Sequence, residues 1–348
     1  MYYSDMQGKR LDYIDAMRGV AILFVVFGHI PMYCYGIANE HLSSFRALTS
    51  LLQMPMFFFV SGFVLNPQKM LTGGVKTCFS KFRQLIVPAL LFGGIYVFIN
   101  DIDIIYCLTD NFKCGYWFTL ILFEFIIIQC LWEYVAKTLN INNKRKIYII
   151  LSVVIALGIY VLSMPTVSNR LGRVSGIVGI PMLRYYMYFA AGQLIRLNLE
   201  NLFQYKYRDT LVSVIIFGFL LSAVYNWCFN VELSGLLFHV NFIIFELFAL
   251  LSVFVFFYKK RTCFSSSLRA SKAITFIGRR TLDIYLLHYF FLPKDLSVFG
   301  HYFVNHPAPI FELAFGGIVT ILIVAVCLIV SEILRQSTFC RKWLLGAK

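Results

Sequence analysis

Charge is scarce in this chain. Asp, Glu, Lys and Arg make up 14% of its 348 residues, against about a quarter in an ordinary soluble protein. Carboxylates are scarcest, with 17 Asp and Glu against 31 Lys and Arg. No polar stretch is long enough for a separate soluble domain, and no internal repeat stands out. The 59% hydrophobic content is carried in long apolar runs, which excludes an ordinary soluble fold and reads as a polytopic membrane protein. No basic patch is interleaved with aromatics, so the formal charge of +14 does not point to nucleic acid; the basic residues sit in short loops. The nine cysteines form no C-x-x-C pattern and the six histidines lack ligand spacing, so neither a metal site nor a tightly bound cofactor is expected. Cys107 and Cys114 share one loop and could pair if it faces an oxidising compartment, but free cysteines are the general expectation. The first apolar run lacks a small-x-small cleavage site and reads as a retained span, not a signal peptide.

Ten candidate spans cover roughly 17–36, 49–66, 84–100, 116–135, 146–163, 177–196, 209–228, 236–258, 275–293 and 310–334. The expected fold class is an all-α integral membrane protein, a bundle of about ten transmembrane helices forming a single domain over 1–348. Lys and Arg split 25 to 5 between the two alternating sets of loops, with Arg184 left inside a span. The rich set holds both termini, including Lys9 and Lys348, and the loops that carry Lys76, Lys81, Arg83 and Lys206. The poor set holds only Arg46, Lys113, Arg170, Arg173 and Lys294. The positive-inside rule therefore predicts a multi-pass protein of the cell membrane with both termini in the cytoplasm.

The most informative stretch runs from Arg18 to His29, with Asp12 and Asp15 just ahead of it. Eleven steps of about 100° make three turns plus roughly 20°, so Arg18 and His29 share one face of a helix, about 16 Å apart. In a spanning helix Arg18 lies at one surface and His29 more than halfway through, and an ionisable group at that depth is a functional candidate. A histidine held only for packing is the competing reading.

The order Asp15-x-x-Arg18-Gly19, an apolar run, then Gly28-His29 resembles the membrane-bound acyltransferase family 3. That family includes bacterial O-acetyltransferases of surface polysaccharides and fucose 4-O-acetylase-like proteins. Met54-Pro55, Phe57-Phe58-Phe59 and Ser61-Gly62 resemble its second span, and its fucose-acetylase-like branch best. Weaker similarities are Trp117-Phe118, Tyr188-Phe189-Ala190-Ala191-Gly192 and Leu282-Asp283-Ile284-Tyr285. The resemblance implies His29 as the essential catalytic residue, as general base or acyl carrier. It also implies an Arg-x-x-Arg motif for a coenzyme A donor, and here the sequence departs: Arg83 is present, but Ser80 precedes it by three and Gln84 follows Lys81 by three. Arg83 carries over, with Arg18, Lys81 and Lys76 as further donor-binding candidates.

At about 1.5 Å per residue, His29 and His288 fall about 18 and 20 Å from the cytoplasmic ends of their spans. Glu124, Arg184 and Glu246 fall about 13, 10 and 15 Å from the outer ends of theirs. These five groups form one expected layer near the midplane of a core about 30 Å thick. Some could simply neutralise one another, Glu124 with Arg184 for example. As a site, Glu124 would orient the imidazole of His29 as part of the catalytic set. Arg184, Glu246, His288 and Asp15 are candidates for the acceptor or oxyanion side.

The expected function is transfer of an acetyl or other short acyl group from acyl-coenzyme A, as co-substrate, to a hydroxyl of a surface polysaccharide or lipid-linked sugar. The expected partners are therefore acyl-coenzyme A, the glycan acceptor and the bilayer. Acceptor choice would fall to the outward loops 37–48, 101–115 and 294–309. The alternative is a multi-span transporter or flippase of a glycan or lipid-linked precursor, since buried charge also lines transport pathways.

Overall fold

A computed structural model describes residues 10–37, 44–141, 144–204, 208–228, 235–306 and 309–347. Lys9, Lys206, Lys348, residues 38–43 of the 37–48 loop and the Arg46 side chain lie outside what is described. Among the described residues the chain is helical and contains no strand. In order the helices are α1 (Asp12–Tyr33), α2 (Ser44–Val64), α3 (Pro67–Ile99), α4 (Ile104–Thr109), α5 (Trp117–Thr138) and α6 (Arg145–Leu162). There follow α7 (Pro165–Ser168), α8 (Arg173–Val178), α9 (Tyr186–Gln204), α10 (Arg208–Cys228) and α11 (Gly235–Lys259). The last are α12 (Arg261–Phe264), α13 (Arg269–Arg279), α14 (Thr281–Leu287), α15 (Ser297–Asn305) and α16 (Pro309–Gln336), with a π turn at Cys340–Leu344.

Among the described residues six helices are long and apolar enough to cross a membrane: α1, α3, α5, α6, α11 and α16. The expected ten is thus met by a helix of spanning length and apolarity at six places. The apolar part of α2 is short, Leu51–Val64. The 177–196 run opens with a 3-10 turn at Ile180–Tyr185, beginning at left-handed Gly179; Pro181 lacks the N–H that an α-helix needs there. The 275–293 run is divided between α13 and α14 and ends in a 3-10 turn at His288–Phe290. The 67–83 loop is helical instead. Asn66 caps α3 by accepting from the Lys69 N–H at 3.0 Å and Pro67 takes the first turn, where its missing donor costs nothing. Only Gly74, at φ 52°, interrupts it.

The chain forms two compact units. The first comprises Met1–Val60, Ile195–Thr281 and Pro293–Thr320. Its core is α1, where Ala16, Met17, Ala21, Ile22 and Val26 are fully buried. α1 lies directly on α13. A Cβ on Gly19 would run into the Ile274 carbonyl, and one on Gly278 into the Asp15 carbonyl. Small residues at such a crossing let two backbones touch, which is how helices associate where lipid removes the hydrophobic drive. Tyr13 meets Tyr258 edge-on at 5.8 Å, and Phe59 meets Phe254 at 5.1 Å, which joins α11 to the same core.

The second unit comprises Ser61–Leu194, Leu282–Leu292 and Ile321–Lys348. Here the Gly62 backbone touches the Phe189 carbonyl, and the Gln193 amide donates to the carbonyls of Gly62 and Leu65. The Ser61-Gly62 and Tyr188–Gly192 strings therefore meet each other. Part of the family-like sequence is accounted for by close packing at the end of α2.

Candidate functional site

In the first unit α1 runs unbroken from Arg18 to His29, so the two residues share a face about 16 Å apart as the spacing requires. His29 is half-buried, and its ring lies edge-on to Tyr33 one turn later, with centroids 5.5 Å apart. The adjoining Gly28 leaves room for two polar side chains of α2. A Cβ there would stand 2.8 Å from Gln53 Oε1 and 3.3 Å from Thr49 Oγ1. Gln53 Oε1 is buried and finds no hydrogen-bond partner among the described residues, a costly state for an acceptor. Neither Thr49 nor Gln53 stands out in the sequence. The available signal was an i, i+4 polar pair on an otherwise apolar helix.

Asp15 sits at the start of the same helix, where a carboxylate complements the exposed N–H groups of the first turn. Its side chain is 5% exposed and is ringed by three arginines. Arg10 Nε donates to Oδ2 at 2.6 Å, Arg279 Nε to the same oxygen at 3.3 Å, and Arg18 Nη1 stands 3.8 Å from Oδ1. Arg279 also reaches Asp12 at 3.0 Å. Asp15 is thus a clamp between α1 and α13, and Arg18 is held most loosely of the three. Glu246, on α11, is buried in this unit.

The second unit carries the other candidates. Lys76, exposed, follows the break at Gly74, with half-buried Lys81 and Arg83 further along α3. Arg83 donates to the Lys342 carbonyl at 3.4 Å and lies 5.7 Å from the Trp343 ring centre. Glu124, two turns into α5, is half-buried and feels the charge of Lys113. The Lys113 ammonium is itself captured by the carbonyls of Leu108 at 2.5 Å and Gly176 at 2.6 Å. Burial pushes it below the usual lysine range, against the opposing pull of Asp110. In the same loop Cys114 is hydrogen-bonded to Cys107, and burial, reinforced by that bond, pushes its thiol up to about 12.

Two members of the expected layer lie in 3-10 turns. Arg184 lies in the 3-10 turn before α9, not inside a spanning helix. Its side chain is exposed, donating to Tyr185 Oη at 3.1 Å and lying 4.9 Å from that ring's centre. His288 is buried in a turn after the short α14, and its Nδ1 meets the carbonyls of Ile284 at 3.1 Å and Tyr285 at 2.8 Å. Since a carbonyl can only accept, Nδ1 carries the proton. His29, Glu124 and Glu246 remain on helices of spanning length.

α14 is instead a hub of hydrogen bonds. Tyr285 Oη donates to the Gly115 carbonyl at 2.8 Å and accepts from the Phe118 N–H at 3.1 Å, while Tyr116 Oη donates to the Leu286 carbonyl at 3.0 Å. Gly115, at φ 102°, has the Tyr289 ring where a Cβ would stand, so only glycine fits on both counts. Asp283 is buried and accepts from Arg335 through two donors, at 2.8 and 2.9 Å, and from Ser331 Oγ at 2.5 Å. Arg335 looked like one more loop cation in the sequence, with nothing to connect it to a residue 52 positions earlier.

Helices of spanning length and composition, with ionisable groups among them, define a membrane protein. The Acyl_transf_3 family, an acyltransferase domain, matches residues 11–332, and the chain belongs to this membrane-bound acyltransferase family. Neither the curated proteins nor the solved structures contain a match to it.

Proposed function

We propose that this acyltransferase moves an acetyl or other short acyl group from acyl-coenzyme A across the cell membrane to a hydroxyl of a surface polysaccharide or lipid-linked sugar. The observation that carries the reading is the Arg18–His29 pair on one continuous helix, within the stretch that the acyltransferase family matches. Imidazole titrates within reach of neutral pH and is suited to take a proton from a hydroxyl. In the proposed reaction His29 accepts that proton as the hydroxyl oxygen adds to the thioester carbonyl. The carbon–sulfur bond then breaks, the coenzyme A thiolate takes the proton back from the imidazolium, and an ester and a free thiol result.

The other roles follow from charge. The phosphates of the donor call for cations, and Arg18, Arg83, Lys81 and Lys76 are assigned to them. Glu124 is assigned to orienting the imidazole. Arg184, Glu246 and His288 are assigned to the acceptor or oxyanion side, with Asp15 holding Arg18. A topology of ten spans with both termini in the cytoplasm accompanies this reading, supported by the 25 to 5 distribution of Lys and Arg.

The test uses purified protein in nanodiscs, radiolabelled acetyl-coenzyme A and a membrane extract that supplies acceptor. The parent should release thiol, and His29→Ala should bind donor without turnover. An acyl-labelled imidazole trapped on the parent would replace the base role with an acyl carrier. A folded parent that binds no acyl-coenzyme A at all would sink the reading.

A further inference from the structure

The C-terminal segment lies beyond the family match, which ends at residue 332, yet it is built onto α3. Leu345 is 1% exposed. Gly346, at φ 60°, brings its backbone against the Gln84 carbonyl, where any Cβ would collide. The Ala347 N–H then closes onto the Arg341 carbonyl at 3.0 Å. The helix that delivers the segment is anchored through Arg335 to buried Asp283.

What this docking presents is a set of cations. Trp343 lies under the Arg83 guanidinium at 5.7 Å, within cation–π range, and the Lys342 carbonyl accepts one of its five N–H donors. The rest of that planar fork is left to meet a phosphate. Arg341 and Lys342 are exposed beside it. Neither α3 nor residues 336–348 contain a single Asp or Glu, so no carboxylate of either segment neutralises the group.

We propose that the C-terminal segment completes an anion site for the phosphates of the acyl-coenzyme A donor. Trp343 positions Arg83, and Arg341 and Lys342 supply the cations that the incomplete Arg-x-x-Arg motif lacks. The proposal rests on the donor reading given above and names residues that the family match does not include.

The test measures binding of acetyl-coenzyme A and of its 3′-dephospho analogue in neutral-lipid nanodiscs. It compares the parent, Arg341→Gln/Lys342→Gln, Trp343→Ala and Trp343→Phe. Arg341 and Lys342 are exposed, so the double variant should keep the parent's thermal midpoint while its Kd for acetyl-coenzyme A rises about tenfold, the scale of one lost charge-assisted hydrogen bond. The Kd for the dephospho analogue should rise less. Trp343→Ala should weaken donor binding and Trp343→Phe should restore most of it. Equal Kd values in the parent and the double variant would overturn the proposal while the donor reading stands. The proposal is likewise overturned if the double variant loses only its association with anionic-lipid vesicles, since the cations would then serve lipid phosphates. A parent that binds neither coenzyme would overturn the donor reading itself, and this proposal with it.

Discussion

Two clusters of cations in this protein are built on opposite plans. Around Asp15 in the first unit, Arg10, Arg18 and Arg279 converge on a carboxylate that is 5% exposed, with Asp12 alongside. Around Arg83 in the second unit, neither α3 nor residues 336–348 contain an Asp or Glu, and Arg83 is held by an aromatic ring and a backbone carbonyl. A buried carboxylate ringed by guanidinium groups is satisfied within the protein, and its removal costs the hydrogen bonds that hold the crossing together. Arg83, set on a ring and a carbonyl, is oriented by groups that carry no net charge. The first plan is that of a clamp and the second that of the anion site proposed above. At 3.8 Å from Asp15, Arg18 is the arginine least committed to the clamp.

The largest expected effect breaks the clamp. Asp15→Ala removes the carboxylate shared by Arg10, Arg18 and Arg279 at the crossing of α1 and α13. Because Arg10 and Arg279 are 58% and 43% exposed and recover hydration, it should cost about 1.5–3 kcal/mol, the scale of charge-assisted hydrogen bonds to a buried carboxylate. It would be read as a lowered thermal midpoint, or lost monodisperse protein, in detergent. Next comes Arg83→Gln. No carboxylate loses its partner there, so stability should hold to within about 0.5–1 kcal/mol, while the Kd for acetyl-coenzyme A rises about tenfold. A midpoint for Arg83→Gln as low as that for Asp15→Ala would erase the distinction between the two plans. Gly28→Ala should be milder for folding, because the added methyl group meets the side-chain ends of Gln53 and Thr49 and no backbone. It displaces the polar pair beside His29, so turnover should fall severalfold with donor binding intact; unchanged turnover would remove Gln53 and Thr49 from the site.

Much of this could be read from the chain itself, and the rest for definite reasons could not. The Arg18–His29 face follows from helical periodicity alone, and the family from short strings spread across most of the sequence. Spans were legible by hydropathy where nothing interrupts them. At Gly179-Ile180-Pro181 the apolar pattern continues through a change of backbone that hydropathy does not register, whereas the adjacent Arg279 and Arg280 mark the break between α13 and α14 in the sequence itself. Contacts distant in sequence were invisible. Asp15 with Arg279, Asp283 with Arg335 and Arg83 with Trp343 each join segments with no periodicity in common. Arg10, Arg279, Arg335 and Arg341 therefore looked alike in sequence, as loop charges, although the structure sorts them: Arg10 and Arg279 close on Asp15, Arg335 closes on Asp283, and Arg341 is exposed.

The smallest effect sharpens that sorting. Arg10 makes the shortest contact of the first cluster, 2.6 Å to Asp15, yet its side chain is 58% exposed. An exposed partner recovers hydration when released, so the length of the bond overstates its worth. With Arg279 still on the same carboxylate oxygen, Arg10→Gln should cost less than about 1 kcal/mol. That cost should shrink further in high salt, which screens exposed charges first. Thermal midpoints of the parent and Arg10→Gln at low and high ionic strength would decide it. A loss of several kcal/mol that salt does not relieve would mean that the three arginines act as one unit. Arg18 would then belong to the clamp and would no longer be a candidate for binding the donor.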